Sequence, residues 1–185
     1  MEPAGPHFPV RWTTAMQANQ VVVVILGAAA CVCDLRTRRI PNLLTFGGAA
    51  LALVYATVVS GPGGALASLG GWAIGAALFF PMFALGGMGA GDVKLAACLG
   101  AWLGPTASLF VALYSALAGG IMALAVALAT GYFRQMFRNV WLLLAHWRVV
   151  GIRPLPELTL ERSRSPRLPF ALPIAVGALA AIWWR

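Results

Sequence analysis

Long apolar blocks, interrupted by short clusters of arginine, glycine and proline, make up most of this chain. A helix needs ~20 apolar residues to cross the hydrocarbon core of a bilayer, and the blocks meet that requirement in turn. A first span is predicted at 15–33, with Gln17, Asn19 and Gln20 near one interface, ending at Asp34. The polar stretch Leu35-Arg36-Thr37-Arg38-Arg39-Ile40-Pro41-Asn42 follows, in which arginines anchor a loop at the headgroups and Pro41 stops a continuous helix. A second span at 43–59 returns. Ser60-Gly61-Pro62-Gly63-Gly64 then supplies the tight turn that two antiparallel spans require. The third span, 65–85, carries small residues at Gly71, Gly75, Ala76 and Ala77, which let helices approach closely in lipid.

The apolar stretch from Leu95 to Thr130 would measure about 54 Å as one helix, well beyond a ~30 Å crossing. A reversal at Gly104-Pro105 divides it into spans at 92–103 and 106–130. Over 132–151, Phe133, Met136, Phe137, Val140, Trp141 and Leu144 alternate with Arg134, Arg138 and Arg148, which predicts a helix lying in the cytoplasmic membrane interface. The Pro-, Arg- and Ser-rich segment 152–168 is expected to be a cytoplasmic loop. A last span at 169–184 ends in the interfacial anchor Trp183-Trp184-Arg185. The expected fold is an all-α transmembrane bundle of about six spans, one membrane-embedded domain covering 1–185.

Composition agrees and narrows the choice. With 61% hydrophobic and 10% charged residues and a mean hydropathy of +0.84, a water-soluble domain is excluded. The net charge of +8 invites a nucleic-acid partner, but positive charge flanking membrane spans records topology, so none is expected. Arg36, Arg38 and Arg39 place the end of the first span in the cytoplasm, with both chain termini outside and the loops 34–42, 86–94 and 131–168 inside. The same bias sets aside a lipoprotein signal at Ala28-Ala29-Ala30-Cys31, since only Arg11 precedes that run. Cys31, Cys33 and Cys98 lack a C-x-x-C spacing, and His7 and His146 fall on opposite sides of the expected membrane. Neither a metal nor a cofactor is expected.

The chemistry sits in the carboxylates. Of the five acidic residues, only Asp34 and Asp92 border a span within a motif. Asp92 closes the turn Gly86-Gly87-Met88-Gly89-Ala90-Gly91-Asp92-Val93-Lys94, and the topology brings it to the membrane face of Asp34. Carboxylates at membrane depth are costly and are functional hypotheses by default. Two held together resist double ionisation, so one keeps a proton while the other stays charged, the equipment of an aspartic protease. Gly89 and Gly91, lacking Cβ atoms, would let a substrate backbone approach and would allow left-handed angles. The simpler alternative is that Asp92 caps a helix, Asp34 neutralises the neighbouring arginines, Lys94 anchors the inner face, and Pro41 and Asn42 only form a turn.

Asp34-Leu-Arg-Thr-Arg-Arg-Ile-Pro-Asn42 and Gly89-Ala-Gly-Asp92-Val-Lys-Leu95 resemble the two aspartate motifs of type IV prepilin peptidases, membrane aspartic proteases of the G-x-G-D class. Leu168-Pro169-Phe170-Ala171-Leu172-Pro173-Ile174-Ala175-Val176-Gly177 is similar to the family's last-span Pro-Phe-x-x-Pro segment. The resemblance implies Asp34 and Asp92 as the catalytic pair. Gly89, Gly91, Lys94, Pro41 and Asn42 would support the motifs. It implies a bacterial inner-membrane enzyme that removes the basic leader of a prepilin or pseudopilin at the cytoplasmic face. The larger bifunctional members carry a domain with paired C-x-x-C motifs and methylate the new N-terminus. This chain lacks that domain and resembles the short peptidases of Flp-type (tight adherence) pilus systems, so S-adenosylmethionine is not called for. Two rival functions are a non-enzymatic proton- or solute-conducting or pilus-assembly membrane protein, and a G-x-G-D protease of the presenilin or signal-peptide-peptidase kind. No polar path across the bilayer favours the first, and the Tyr-Asp and Pro-Ala-Leu motifs of the second are missing.

Overall fold

The computed structural model describes residues 10–131, 133–151 and 169–183, and every regular element among them is helical. In chain order these are α1 (Val10–Thr37), a π-helical turn (Leu43–Gly47), α2 (Gly48–Ala84), α3 (Ala90–Leu103), α4 (Pro105–Ala129), α5 (Phe133–Val150) and α6 (Ala171–Trp183). Among the described residues, Ala18–Thr37, Leu43–Ala84 and Pro105–Ala129 are long and apolar enough to cross a membrane, and α6 is apolar but shorter.

The second of these stretches doubles back. Gly61, with φ 63° and ψ −153°, interrupts the helical geometry of α2 immediately before Pro62. On one side of it, Gly48 lies against Cys98 and the Tyr55 ring packs at a tilt against Trp102; on the other, Gly71 meets Gly100 and Gly75 meets Ala96. The first half therefore runs with α3 and the second half against it. Gly64 also abuts the carbonyl of Ala56, although residues eight apart in a continuous helix are about 12 Å apart. The turn expected over 60–64 is thus concentrated at Gly61, because a glycine at positive φ reverses the chain without steric strain.

α3 forms the centre. From Asp92 to Trp102 every residue except Lys94 is buried. Small residues make this possible: a Cβ on Gly75 would come within 2.6 Å of the Ala96 carbonyl oxygen, and one on Gly71 would collide with the Gly100 carbonyl. Ser108 Oγ, at the start of α4, donates to the Gly71 carbonyl at 3.0 Å, and Trp102 Nε1 donates to that of Gly48 at 3.0 Å. The chain reverses again at Gly104 (φ 83°), the position expected from length alone. α6 closes the bundle, with Gly177 against Ser115 of α4 and Ala175 against Gly27 of α1. Large apolar side chains such as Leu43, Val58, Leu66 and Ile121 face outward, as a lipid-facing surface allows.

Two boundaries differ from expectation. α1 continues to Thr37, so Asp34 lies within its last turn instead of beyond its end. Arginine is a good helix former, and its charge marks the membrane edge without ending the helix. Nor does Pro41 stop α1. The turn after it passes through Arg38 at φ 52°, and the Pro41 carbonyl opens the next helix by accepting from the N–H groups of Leu44 (3.1 Å) and Thr45 (3.3 Å). His7, the loop 152–168, Trp184 and Arg185 lie outside the described residues.

Candidate active site

Asp34 comes from the last turn of α1 and Asp92 from the first turn of α3. Both line one cavity of about 300 Å³, together with Arg38, Arg39, Ile40, Asn42, Gly89, Ala90, Gly91 and Lys94. Asp92 is buried, whereas Asp34 is half-buried.

Each carboxylate is oriented by a backbone N–H at a helix start, where the unpaired N–H groups and the dipole favour negative charge. Asp92 Oδ2 accepts from Gly89 N at 3.3 Å, while Asp92 N donates to the Gly89 carbonyl at 3.1 Å. The capping contact anticipated as the simpler alternative is therefore present. It fixes where the carboxylate points and is compatible with its lining the cavity. Asp34 Oδ2 accepts from Ala171 N, the first residue of α6, at 3.4 Å.

The left-handed angles expected at Gly89 and Gly91 are not adopted there. Gly89 has extended backbone (φ −78°, ψ 149°) and Gly91 is helical; the left-handed residue of the turn is Gly86, at φ 76°. What Gly89 and Gly91 provide is room. A Cβ on Gly89 would lie 3.2 Å from Asp92 Oδ2, and one on Gly91 would lie 3.3 Å from the Ile40 side chain. Glycine at 91 lets the two aspartate motifs close on each other, and glycine at 89 leaves room for the Asp92 carboxylate.

Lys94 Nζ donates to Asn42 Oδ1 at 2.9 Å and sits 5.2 Å from the centre of the Phe46 ring. It ties the second motif to the first. Pro41 does not line the cavity. Sequence reasoning did not single out Arg38, Arg39, Ile40 or the Ala171 N–H as parts of the site; the similarity of 168–177 to a last-span motif was the one pointer to Ala171. Among the described residues, no three His, Cys, Asp or Glu side chains cluster.

A model of the type IV leader peptidase family matches residues 21–124. The chain belongs to the type IV leader peptidase family. No curated protein and no solved structure matches it. The matched stretch holds both aspartates, both motifs and the whole of α3. Membership carries a peptidase function of the leader-peptidase kind and sets aside a purely conducting role. Together with helices of membrane-spanning length, it marks the chain as a membrane protein. α6 lies beyond the matched residues of this leader peptidase, yet its first N–H reaches Asp34.

Proposed function

We propose that this leader peptidase is an aspartic endopeptidase in which Asp34 and Asp92 form the catalytic pair. The observation that carries the reading is the single cavity lined by both carboxylates, which come from different helices. One carboxylate, ionised, takes a proton from water so that its oxygen attacks the peptide carbonyl carbon. The other, protonated, donates to the carbonyl oxygen and so stabilises the developing oxyanion. Collapse of the tetrahedral intermediate breaks the C–N bond, and the amine leaves with a proton returned from the pair. Gly91, Lys94 and Asn42 support this geometry by holding the motifs together, Gly89 by leaving room for the Asp92 carboxylate, and Pro41 indirectly by opening the following helix.

The substrate is a prepilin or pseudopilin with a basic leader, of the Flp kind, cut at the cytoplasmic face of the bacterial inner membrane. Support comes from the two aspartate motifs and, for the cytoplasmic face, from Arg36, Arg38 and Arg39, since positive charge flanking a span favours the cytoplasmic side. The whole chain acts as one membrane-embedded domain with six spans and both termini outside. Co-expression with a Flp-type prepilin tests this reading. The expected result is a gel shift, with mass spectrometry placing the new N-terminus between the basic leader and the apolar segment. An unprocessed prepilin beside well-expressed, membrane-inserted protein would contradict it.

A further inference from the structure

α5 follows α4 after a turn at Thr130 and Gly131, and its exposed apolar side chains Phe133, Phe137, Val140, Trp141 and Leu144 recur at helical spacing, forming one stripe. Arg134, Arg138 and Arg148 are exposed as well, and residues 133–150 contain no Asp or Glu. Three guanidinium groups within 18 residues oppose a bilayer crossing, since each is expensive at the hydrocarbon centre. A helix of about 27 Å lying along the surface puts the stripe at the acyl boundary and the arginines among headgroups. A second copy of α5 would bring arginine against arginine. An acidic soluble partner would answer the charge and leave the Phe, Trp and Leu stripe without an apolar phase.

A second observation concerns the cavity. Its lining carries three cations, Arg38, Arg39 and Lys94, against two carboxylates. Such a rim does not attract a basic leader. The end of α4 that leads into α5 is also the cavity end of the bundle: Gly119 of α4 faces Pro173 of α6, and Ala171 contacts Asp34.

We infer that α5 docks on anionic phospholipid headgroups, holding the cavity mouth at a negatively charged leaflet and so gathering the basic leader of the substrate onto the same surface. The occupant is lipid phosphate, and the inference about the leader rests on the function proposed above. Because each arginine near an anionic surface shifts binding roughly fivefold, three shift the docked-to-undocked ratio on the order of 100-fold.

The test compares the full chain in nanodiscs of phosphatidylcholine alone with nanodiscs of phosphatidylcholine mixed with phosphatidylglycerol. It reads hydrogen–deuterium exchange over residues 133–150 and, separately, the rate of prepilin cleavage. The expected result is slower exchange in α5 with phosphatidylglycerol, reversed by high salt and absent from the variant Arg134→Gln/Arg138→Gln/Arg148→Gln. Cleavage of a substrate with a basic leader should rise in the same discs. Equal exchange in both discs, or the same lipid dependence in the triple variant, would overturn the docking. Phosphatidylglycerol-dependent protection without any cleavage would leave the docking standing and count against the peptidase reading alone.

Discussion

A lysine ammonium bonded to an amide oxygen 52 positions away in sequence couples two stretches of chain that share no secondary-structure element. Lys94 does this for the two aspartate motifs, reaching Asn42 at 2.9 Å from the helix that carries Asp92. Lys94→Met is expected to lower kcat/KM about tenfold, about 1.4 kcal/mol, near the lower end for a hydrogen bond to a charged group. Asn42→Ala should have a similar effect, and the double variant should be no worse than either single one. A double-mutant cycle on kcat/KM measures this, and additive losses would show that the contact does not couple the motifs. Asp34 and Asp92 were legible in the sequence because few ionisable residues occur in so apolar a chain. The Ala171 N–H was not, because a backbone donor has no side-chain signature and its neighbour is 137 positions away.

At the scale of elements, the bundle depends on helices meeting across missing side chains. A Cβ at Gly48 would lie 2.7 Å from Cys98 Sγ, so Gly48→Ala forces the start of α2 away from α3. The expected loss is about 1–3 kcal/mol, the range for overpacking a well-filled core. Cys98→Ala removes the sulfur atom, and combining it with Gly48→Ala should recover part of the loss. Thermal unfolding in detergent tests the pair, and equal destabilisation with and without the sulfur would show that another contact limits the site. The Gly104-Pro105 reversal followed from length, since the apolar run exceeded a bilayer crossing. The end of α1 did not, because arginines mark the headgroup layer whether or not the helix stops there. Gly61 was one of three glycines within its expected turn, and only packing against α3 and across the hairpin singles it out.

For the whole molecule, the topology proposed from charge bias has both chain termini outside and 152–168 inside. A cysteine placed at Arg164 should resist a membrane-impermeant reagent applied to intact cells and react after permeabilisation; labelling from outside would overturn the topology. The cysteine spacing and the separation of His7 from His146 also predict that cleavage persists in chelator, and loss with recovery on adding zinc would contradict the carboxylate mechanism. The central claim is that this fold turns two distant aspartates into one catalytic pair. Asp34→Asn and Asp92→Asn keep the side-chain shape and an oxygen that can accept from Ala171 N or Gly89 N, so each removes ionisation while sparing the cap. The most direct measurement is the gel shift of a co-expressed prepilin with each single variant and the double, alongside an immunoblot of the membrane fraction. The account predicts normal protein levels with leader removal abolished in each single variant, and a double variant no worse, because residues acting as a unit are strongly non-additive. Normal processing by either well-expressed single variant would contradict it.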